Sequence, residues 1–184
     1  MDVLVHHCLR ELSFDGDLGC NVSRLKDFIV NYYSNSGGPQ QVADDTFCAF
    51  VWSVVVQQPA VRVGVVPPGI TSEVYVAPQI KARRQAAAVE LKQRHGDDLR
   101  IAVDPQTSFA AITGSHIRPA KLSAMVYSAL QLITRGREEG ITTVELGRRT
   151  KYDQKTCFYV IKQLVELDLV VKKSSLATNS TGRG

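Results

Sequence analysis

Three apolar stripes at helical spacing open the chain, and alternating apolar and polar residues follow them. The glycines of "FDGDLGC" end the first predicted helix, the second begins at Asn21 or Ser23, and the third has Asp44 or Asp45 as its N-cap. The residues of the stripes are Val3, Leu4, Cys8, Leu12, Leu25, Phe28, Ile29, Tyr32, Phe47, Phe50, Val51, Val54 and Val55. "VRVGVV" and "SEVYVAP", joined by "PPG", then alternate as two strands of a hairpin do.

The same order of helices recurs after residue 118. A first helix is predicted over "AKLSAMVYSALQLITRGREE", with Gly140 as its terminator. Thr142 and Glu145 match a capping box, in which the Thr142 hydroxyl accepts from the backbone and Glu145 reaches back, so a short helix is predicted over 143–149. Asp153 is the predicted N-cap of a third helix over 154–167, and "LDLVVKK" then has strand character.

Between these two regions, residues 81–117 are predicted to form a connector. It contains a helix that begins near Pro78 and ends near residue 95, a short strand "LRIAV", and a turn with a brief helix in "DPQTSFAAITGSHIRP". The predicted fold is mainly α with small β hairpins (α+β), arranged as tandem winged-helix (helix-turn-helix) domains. The first covers residues 1–80 and the second, with a truncated wing, covers residues 118–184.

Composition narrows the class of protein. With 184 residues and 44% hydrophobic content the chain can bury a core, and no apolar run is long enough for a membrane span. The start lacks the basic and then apolar segments of a signal peptide, so we expect a cytosolic or nuclear protein. The widely spaced cysteines predict reduced, mostly buried thiols, and no metal or cofactor is expected: Cys8, Cys20, Cys48 and Cys157. A metal site at His6, His7, Cys8 and Cys20 is the less favoured alternative.

The net charge of +4 is unevenly distributed. From residue 118 onward the chain has twelve basic and six acidic residues, a net charge of +6. The first 117 residues therefore have a net charge of −2. This asymmetry indicates an anionic partner for the last third of the chain, and nucleic acid is favoured over a membrane because no lipid-inserting amphipathic segment accompanies the charge.

The last predicted helix has one apolar and one polar face. Cys157, Ile161 and Leu164 should face the core, which leaves Lys155, Tyr159, Lys162 and, toward the start, Gln154, Thr156 and Phe158 on the other side. Such a face suits a DNA reader, in which Gln154 would read adenine and Lys155 guanine. The predicted phosphate and wing contacts are Arg148, Arg149, Lys151, Lys172, Lys173 and Arg183. Phe158 would stack on a base, contact a thymine methyl group or pack on the first domain.

The third helix of the first domain predicts a different role. Residues 45–57 contain no lysine or arginine, and Asp44 and Asp45 precede or begin the helix, so it should repel phosphate. We therefore expect the first domain to be a scaffold or a protein-docking domain.

Several segments resemble a known family. "GITTVELGRRTKYDQKTCFYVIKQLVELDLVVK" resembles the B-block-binding winged helix of the largest subunit of transcription factor IIIC (TFIIIC). "LRELSFDGDLGCNVSRLKDFI", "FVWSVVVQQPAVRV" and "SFAAITG" resemble earlier segments of the same subunit, in the same order. Asp168 stands where winged helices often have glycine, and aspartate tolerates the left-handed conformation better than most residues. The chain ends in a polar loop without a returning wing strand, so we expect a fragment of a longer protein.

The resemblance implies a nuclear, non-enzymatic role in RNA polymerase III transcription. The implied function is recognition of the B-box, the internal promoter element of transfer RNA genes, through the recognition helix of the second winged helix. Double-stranded DNA and other TFIIIC subunits are the implied partners, and neither a membrane nor a small-molecule substrate is expected. The implied DNA-facing residues are Gln154, Lys155, Thr156, Tyr159 and Lys162, with Arg148, Arg149 and Lys151 on phosphates.

The main alternative is a protein-interaction module in which both winged helices dock other subunits of a transcription complex. The apolar first domain and Phe158 favour it. An enzyme is disfavoured because the sequence contains no G-x-S-x-G motif, no P-loop and no H-E-x-x-H motif.

Overall fold

The structure is a computed structural model that describes residues 1–35, 43–66 and 88–173. The helices are α1 (Asp2–Phe14), α2 (Val22–Asn35), α3 (Asp45–Val55), α4 (Ala88–His95), α5 (Pro105–Thr113), α6 (Ala124–Arg135), α7 (Thr143–Thr150) and α8 (Gln154–Glu166). The strands are β1 (Val61–Val65) and β2 (Leu99–Val103), and short 3-10 turns cover Gly16–Leu18 and Gly96–Asp98. The described chain is thus mostly helical with a small antiparallel sheet, which confirms the predicted α+β class.

The first core lies between α1, α2, α3 and β2. Its fully buried residues include Leu12, Ile29, Val51 and Ile101. α3 begins at the predicted cap, where the Asp44 carboxylate accepts from the backbone N–H of Phe47 at 2.7 Å. Two residues of the predicted stripes do not join this core, because Val3 and Phe50 are exposed.

The two strands come from distant parts of the chain. β1 pairs antiparallel with β2 from Val61 opposite Val103 to Val65 opposite Leu99. On its other side Ile101 forms a bridge with Cys20, so β2 has backbone partners on both edges. "LRIAV" is a strand as predicted, but its partner is "VRVGV". The predicted second strand of the hairpin, "SEVYVAP", lies outside the described residues.

The helix predicted from Pro78 is described only from Ala88, and the brief helix after β2 is present as α5. Asp104 caps α5 by accepting from the N–H groups of Gln106 and Thr107, at 3.0 and 3.1 Å. Gly114, with φ of 68°, ends it. α5 packs on α1, so the segment between the two predicted domains is held against the first core.

The second core lies between α6, α7 and α8, and its buried residues include Val126, Leu130, Leu146, Val160 and Leu164. The predicted span of the first of these helices was too long at both ends. α6 begins only after Ser123, whose hydroxyl accepts from the N–H of Val126 at 3.4 Å, and it ends at Arg135 rather than at Gly140. Ala120 and Lys121 favour helix, but the cap sets the start.

The segment after α8 corrects one prediction and supports another. Residues 167–173 form no strand, and in the described part of the chain they have no ladder partner, which a strand requires. Asp168 does adopt the left-handed conformation, with φ of 55°. The N–H of Leu169 bonds the carbonyl of Leu164, and the N–H of Asp168 bonds that of Val165, each at 3.0 Å. α8 therefore ends in a Schellman motif with aspartate in the usual glycine position.

A polar joint connects the two cores. The carboxylate of Asp15 is fully buried and accepts from Arg24 Nε at 2.7 Å and from Arg137 Nη2 at 3.0 Å. Gln131 of α6 donates to Asp17 Oδ2 at 2.9 Å, and Arg137 donates to Glu11 Oε2 at 2.8 Å. The sequence "FDGDLGC" indicated only a break between helices, whereas these residues also attach α6 to α1.

Among the helices of the described ranges, none is long and apolar enough to cross a membrane.

Candidate nucleic-acid interface

A short turn joins α7 to α8, and local caps fix where each helix begins. The Thr142 hydroxyl accepts from the N–H of Glu145 at 3.1 Å, and the Asp153 carboxylate accepts from the N–H of Thr156 at 2.7 Å. This backbone hydrogen bond holds the pKa of Asp153 below its usual value. Between the helices Lys151 adopts the left-handed conformation, with φ of 61°. The caps thus define where each helix begins, as the sequence predicted.

Close packing of α7 on α8 decides which face of α8 is exposed. A Cβ atom on Gly147 would lie 3.3 Å from the carbonyl oxygen of Tyr152 and 3.5 Å from Cys157 Sγ, so the two helices meet at a residue without a side chain. Cys157, Val160 and Leu164 of α8 are buried, and burial raises the pKa of the Cys157 thiol. The opposite face of α8 therefore points to solvent.

The predicted reading residues share this solvent-facing side. Gln154, Lys155, Tyr159 and Lys162 are exposed, and Thr156 is half-buried. Lys162 lies 3.9 Å from Glu166 Oε1, a contact that leaves most of its side chain accessible. The cations and the tyrosine hydroxyl are therefore available to a partner along the first three turns of α8.

The two predicted phosphate contacts on α7 are engaged within the helix. Arg148 donates from Nε and Nη2 to both carboxylate oxygens of Glu145, at 2.7 and 2.6 Å. Arg149 donates from Nε to Glu145 Oε1 at 2.7 Å. The Arg148 hydrogen bonds, and then those of Arg149, lower the pKa of Glu145 to about 2. This cluster was not predicted, although glutamate three and four residues before arginine signals it.

The remaining predicted cations lie at the edges of the pair formed by α7 and α8. Lys151 is exposed in the connection between α7 and α8. Lys172 and Lys173 are exposed after α8, and Lys173 Nζ lies 3.5 Å from the carbonyl oxygen of Glu138. Arg183 lies outside the described residues.

Apolar side chains interrupt this polar surface. Phe158 is 51% exposed and Val165 is 38% exposed, and their spacing of seven residues puts both on one flank of α8. Val144 of α7 is 83% exposed, and no pattern in the sequence marked it. The exposed surface is thus basic along its centre and apolar at one edge.

The corresponding helix of the first core is acidic at its start. Asp44 and Asp45 are exposed, and Asp45 pairs with Lys26 of α2 at 2.9 Å. α3 exposes Phe50 and contains no lysine or arginine. It therefore offers an apolar and acidic surface, which differs in charge from that of α8.

The cysteines are buried as predicted, with Cys48 half-buried. Burial raises the pKa of Cys8 to about 12, and it also raises the pKa of Cys20. Residues 1–35, 43–66 and 88–173 contain no group of three or more histidine, cysteine or acidic side chains arranged to hold a metal ion.

Two comparisons bear on the family. Residues 123–182, which begin at the cap of α6 and include α7 and α8, match the family model described as the B-block binding subunit of TFIIIC. The chain is also similar to transcription factor tau subunit sfc3 of Schizosaccharomyces pombe, with 26% identity over 172 residues. That alignment covers 94% of this chain and 12% of the relative, so the chain spans about an eighth of that protein's length. The resemblance inferred from the sequence is confirmed, since residues 123–182 match the B-block binding subunit family of TFIIIC and the chain is similar to a transcription factor subunit.

Proposed function

We propose that this chain is a DNA-binding part of a TFIIIC subunit and that α8 recognises the B-box of transfer RNA genes. The observation that carries the proposal is the row of Lys155, Tyr159 and Lys162 on the exposed face of α8, opposite residues that anchor the helix in the second core. A recognition helix needs both features, since its inner face must be fixed while its outer face enters a groove.

The chemistry of the exposed side chains supports a division of roles. Gln154 and Lys155, at the start of α8, would contact base edges, and Tyr159 and Lys162 would follow the groove. Arg148, Arg149 and Lys151 would lie against phosphates on one side, with Lys172 and Lys173 against the backbone on the other. The surplus of basic residues after residue 118 supports this orientation toward DNA.

We further propose that both three-helix units are winged helices and that the first docks other TFIIIC subunits in the nucleus. The exposed Asp44 and Asp45 and the exposed Phe50 of α3 support protein docking rather than DNA contact. The sfc3 relative is named as a transcription factor subunit, which supports a nuclear site of action.

Fluorescence anisotropy with the 184-residue chain tests the DNA proposal. A labelled B-box duplex and a scrambled duplex of equal length are titrated at several salt concentrations. A preference of about tenfold for the B-box, about 1.4 kcal/mol, together with a steep salt dependence, is the expected result. Equal affinities for the two duplexes would contradict sequence-specific reading by this chain.

Paired variants then test the face of α8. Replacing Lys155 and Lys162 by alanine should weaken binding. It should also make the dependence of log K on log salt shallower, by about the amount that two lost contacts would give. The matched control replaces the exposed Arg62 and Lys92, which removes the same charge from the first part of the chain. If both double variants lose affinity equally, overall charge rather than α8 determines binding.

A second candidate function is protein docking by α8 itself. The exposed flank of Phe158 and Val165 favours it, because apolar side chains on a helix face suit a groove in another protein. Under this alternative, Phe158→Ala would abolish association with another subunit and leave the weak binding of all duplexes unchanged.

A further inference from the structure

The carboxylate of Glu145 binds both arginines of α7. It accepts a bidentate pair of hydrogen bonds from Arg148 and a further one from Arg149, all at 2.6–2.7 Å. Guanidinium groups bind carboxylate and phosphate through the same donors and with the same planar geometry. An approaching phosphate therefore has to compete with a carboxylate that is already in place.

Helix capping does not explain the position of this carboxylate. In a capping box Glu145 would reach back to the backbone N–H of Thr142. Within the residues that the structure describes, the Thr142 hydroxyl caps α7 from its own side, and the carboxylate is directed to the two arginines instead. Removal of the carboxylate therefore leaves the hydrogen bond that starts α7.

We propose that Glu145 is an internal competitor for phosphate, which restrains Arg148 and Arg149 and so limits binding to DNA of any sequence. The proposal rests on the proposed function, because it assumes that α7 and α8 face a nucleic acid. Phosphate contacts carry little sequence information, whereas contacts from α8 to base edges do. By weakening the former, Glu145 shifts discrimination toward Gln154 and Lys155.

Loss of the Glu145 carboxylate changes the net charge of α7 in the direction that the proposal requires. Glu145, Arg148 and Arg149 together contribute +1 to α7, and without the carboxylate the same helix contributes +2. Each additional phosphate that a cation neutralises steepens the dependence of log K on log salt by about 0.9. Restrained arginines should thus give a shallower slope than the number of basic residues suggests.

The test compares Glu145→Gln with the wild-type chain on two polyanions, a heparin column and the scrambled duplex. We expect the variant to elute from heparin at higher salt, to bind the scrambled duplex about five- to tenfold more tightly, and to show a steeper salt slope. Its preference for the B-box duplex should fall, because the added affinity is independent of sequence.

Glu139→Gln is the matched control, since Glu139 is exposed and its replacement changes the net charge equally. A second control repeats Glu145→Gln in a chain that carries Arg148→Gln and Arg149→Gln, where the gain should shrink to that of Glu139→Gln. Thermal melting followed by circular dichroism checks that each variant is folded.

An unchanged or weaker interaction of Glu145→Gln with heparin would overturn the proposal, and weaker binding would mean that Glu145 holds the arginines in place for phosphate. A gain that survives loss of both arginines would also overturn it. The heparin measurement requires no sequence preference. If the wild-type chain does not prefer the B-box, the proposed function is rejected. The heparin measurement still decides the role of Glu145 in that case.

Discussion

Arg137, two residues after α6, contacts the buried carboxylate of Asp15, the residue that follows α1, with 3.0 Å between Nη2 and Oδ1. Arg137 also donates from Nη2 to the carbonyl oxygen of Glu11 and has the left-handed conformation, with φ of 53°. Its guanidinium lies over the ring of Phe14, 5.5 Å from the centroid. One residue that follows α6 therefore contacts several groups at the end of α1, and it contributes to the joint together with Gln131 and Thr134.

Asp15→Asn should destabilise the chain. The asparagine keeps the shape but leaves Arg24 and Arg137 without their shared negative partner, and we expect a loss of about 2–4 kcal/mol because the carboxylate is buried while both arginines are partly exposed. Urea unfolding followed by circular dichroism measures it. Asp27→Asn, at an exposed position of α2, should change stability by less than about 0.5 kcal/mol. Equal stability of the two variants would show that the joint contributes little.

Gly16→Ala should be more destabilising than Gly114→Ala. The backbone φ is 69° at Gly16 and 68° at Gly114, so an alanine costs about 1 kcal/mol of backbone strain at either position. At Gly16 the new Cβ would also lie 2.8 Å from Gln131 Oε1, whereas at Gly114 nothing lies within 4 Å. We expect an additional loss of about 1–2 kcal/mol at Gly16 from this overpacking.

Denaturant midpoints of the two glycine variants provide the comparison. The difference between them should largely disappear when Gln131 is also replaced by alanine, because the clash is with that side chain. If the full difference persists in the Gln131→Ala background, contact with the Oε1 and Cδ atoms of Gln131 is not its cause.

The cysteines should react with iodoacetamide in a fixed order. Cys48 is half-buried and should be alkylated first, whereas Cys8, Cys20 and Cys157 are buried. Burial raises the pKa of Cys8 to about 12, so it stays protonated as the pH rises from 7 to 9 and gains little reactivity. Mass spectrometry of the labelled peptides measures the order. Labelling of Cys8 as fast as that of Cys48 in the folded chain would contradict the structure.

Asp168→Gly should stabilise the end of α8. Asp168 has φ of 55°, a conformation that glycine adopts without strain, so we expect a gain of about 0.5–1 kcal/mol. Asp168→Asn is the matched control and should be close to neutral, because asparagine also tolerates this conformation. Thermal melting of both variants tests the prediction, and a glycine variant less stable than the asparagine variant would refute it.

Local patterns predicted the elements that carry the candidate site. The spacing of Cys157, Ile161 and Leu164 predicted the inner face of α8, where Cys157 and Leu164 are buried and Ile161 is half-buried. Asp44, Thr142 and Asp153 were predicted as caps and accept the expected backbone hydrogen bonds. These features depend on residues within one or two turns, which a single sequence contains in full.

Contacts between distant residues were not predictable in this way. The pairing of β1 with β2 joins segments that are separated by a helix and many other residues, and nothing in either segment specifies its partner. The contacts of Asp15 with Arg24 and Arg137 depend on how α6 packs on α1, so the sequence showed only a turn there. Glu145 had two possible sets of local partners, the backbone of the capping box and the arginines of α7. Its carboxylate forms ion pairs with Arg148 and Arg149 instead of completing the capping box.

The pairing of β2 with β1 also affects how the chain is made. A ribosome delivers α1, α2 and α3 well before Leu99, Ile101 and Val103, which complete the same apolar core. The nascent helices must therefore keep their inner faces covered by transient contacts or by a chaperone until that strand has emerged. The helices that are translated first therefore depend on a strand that is translated later.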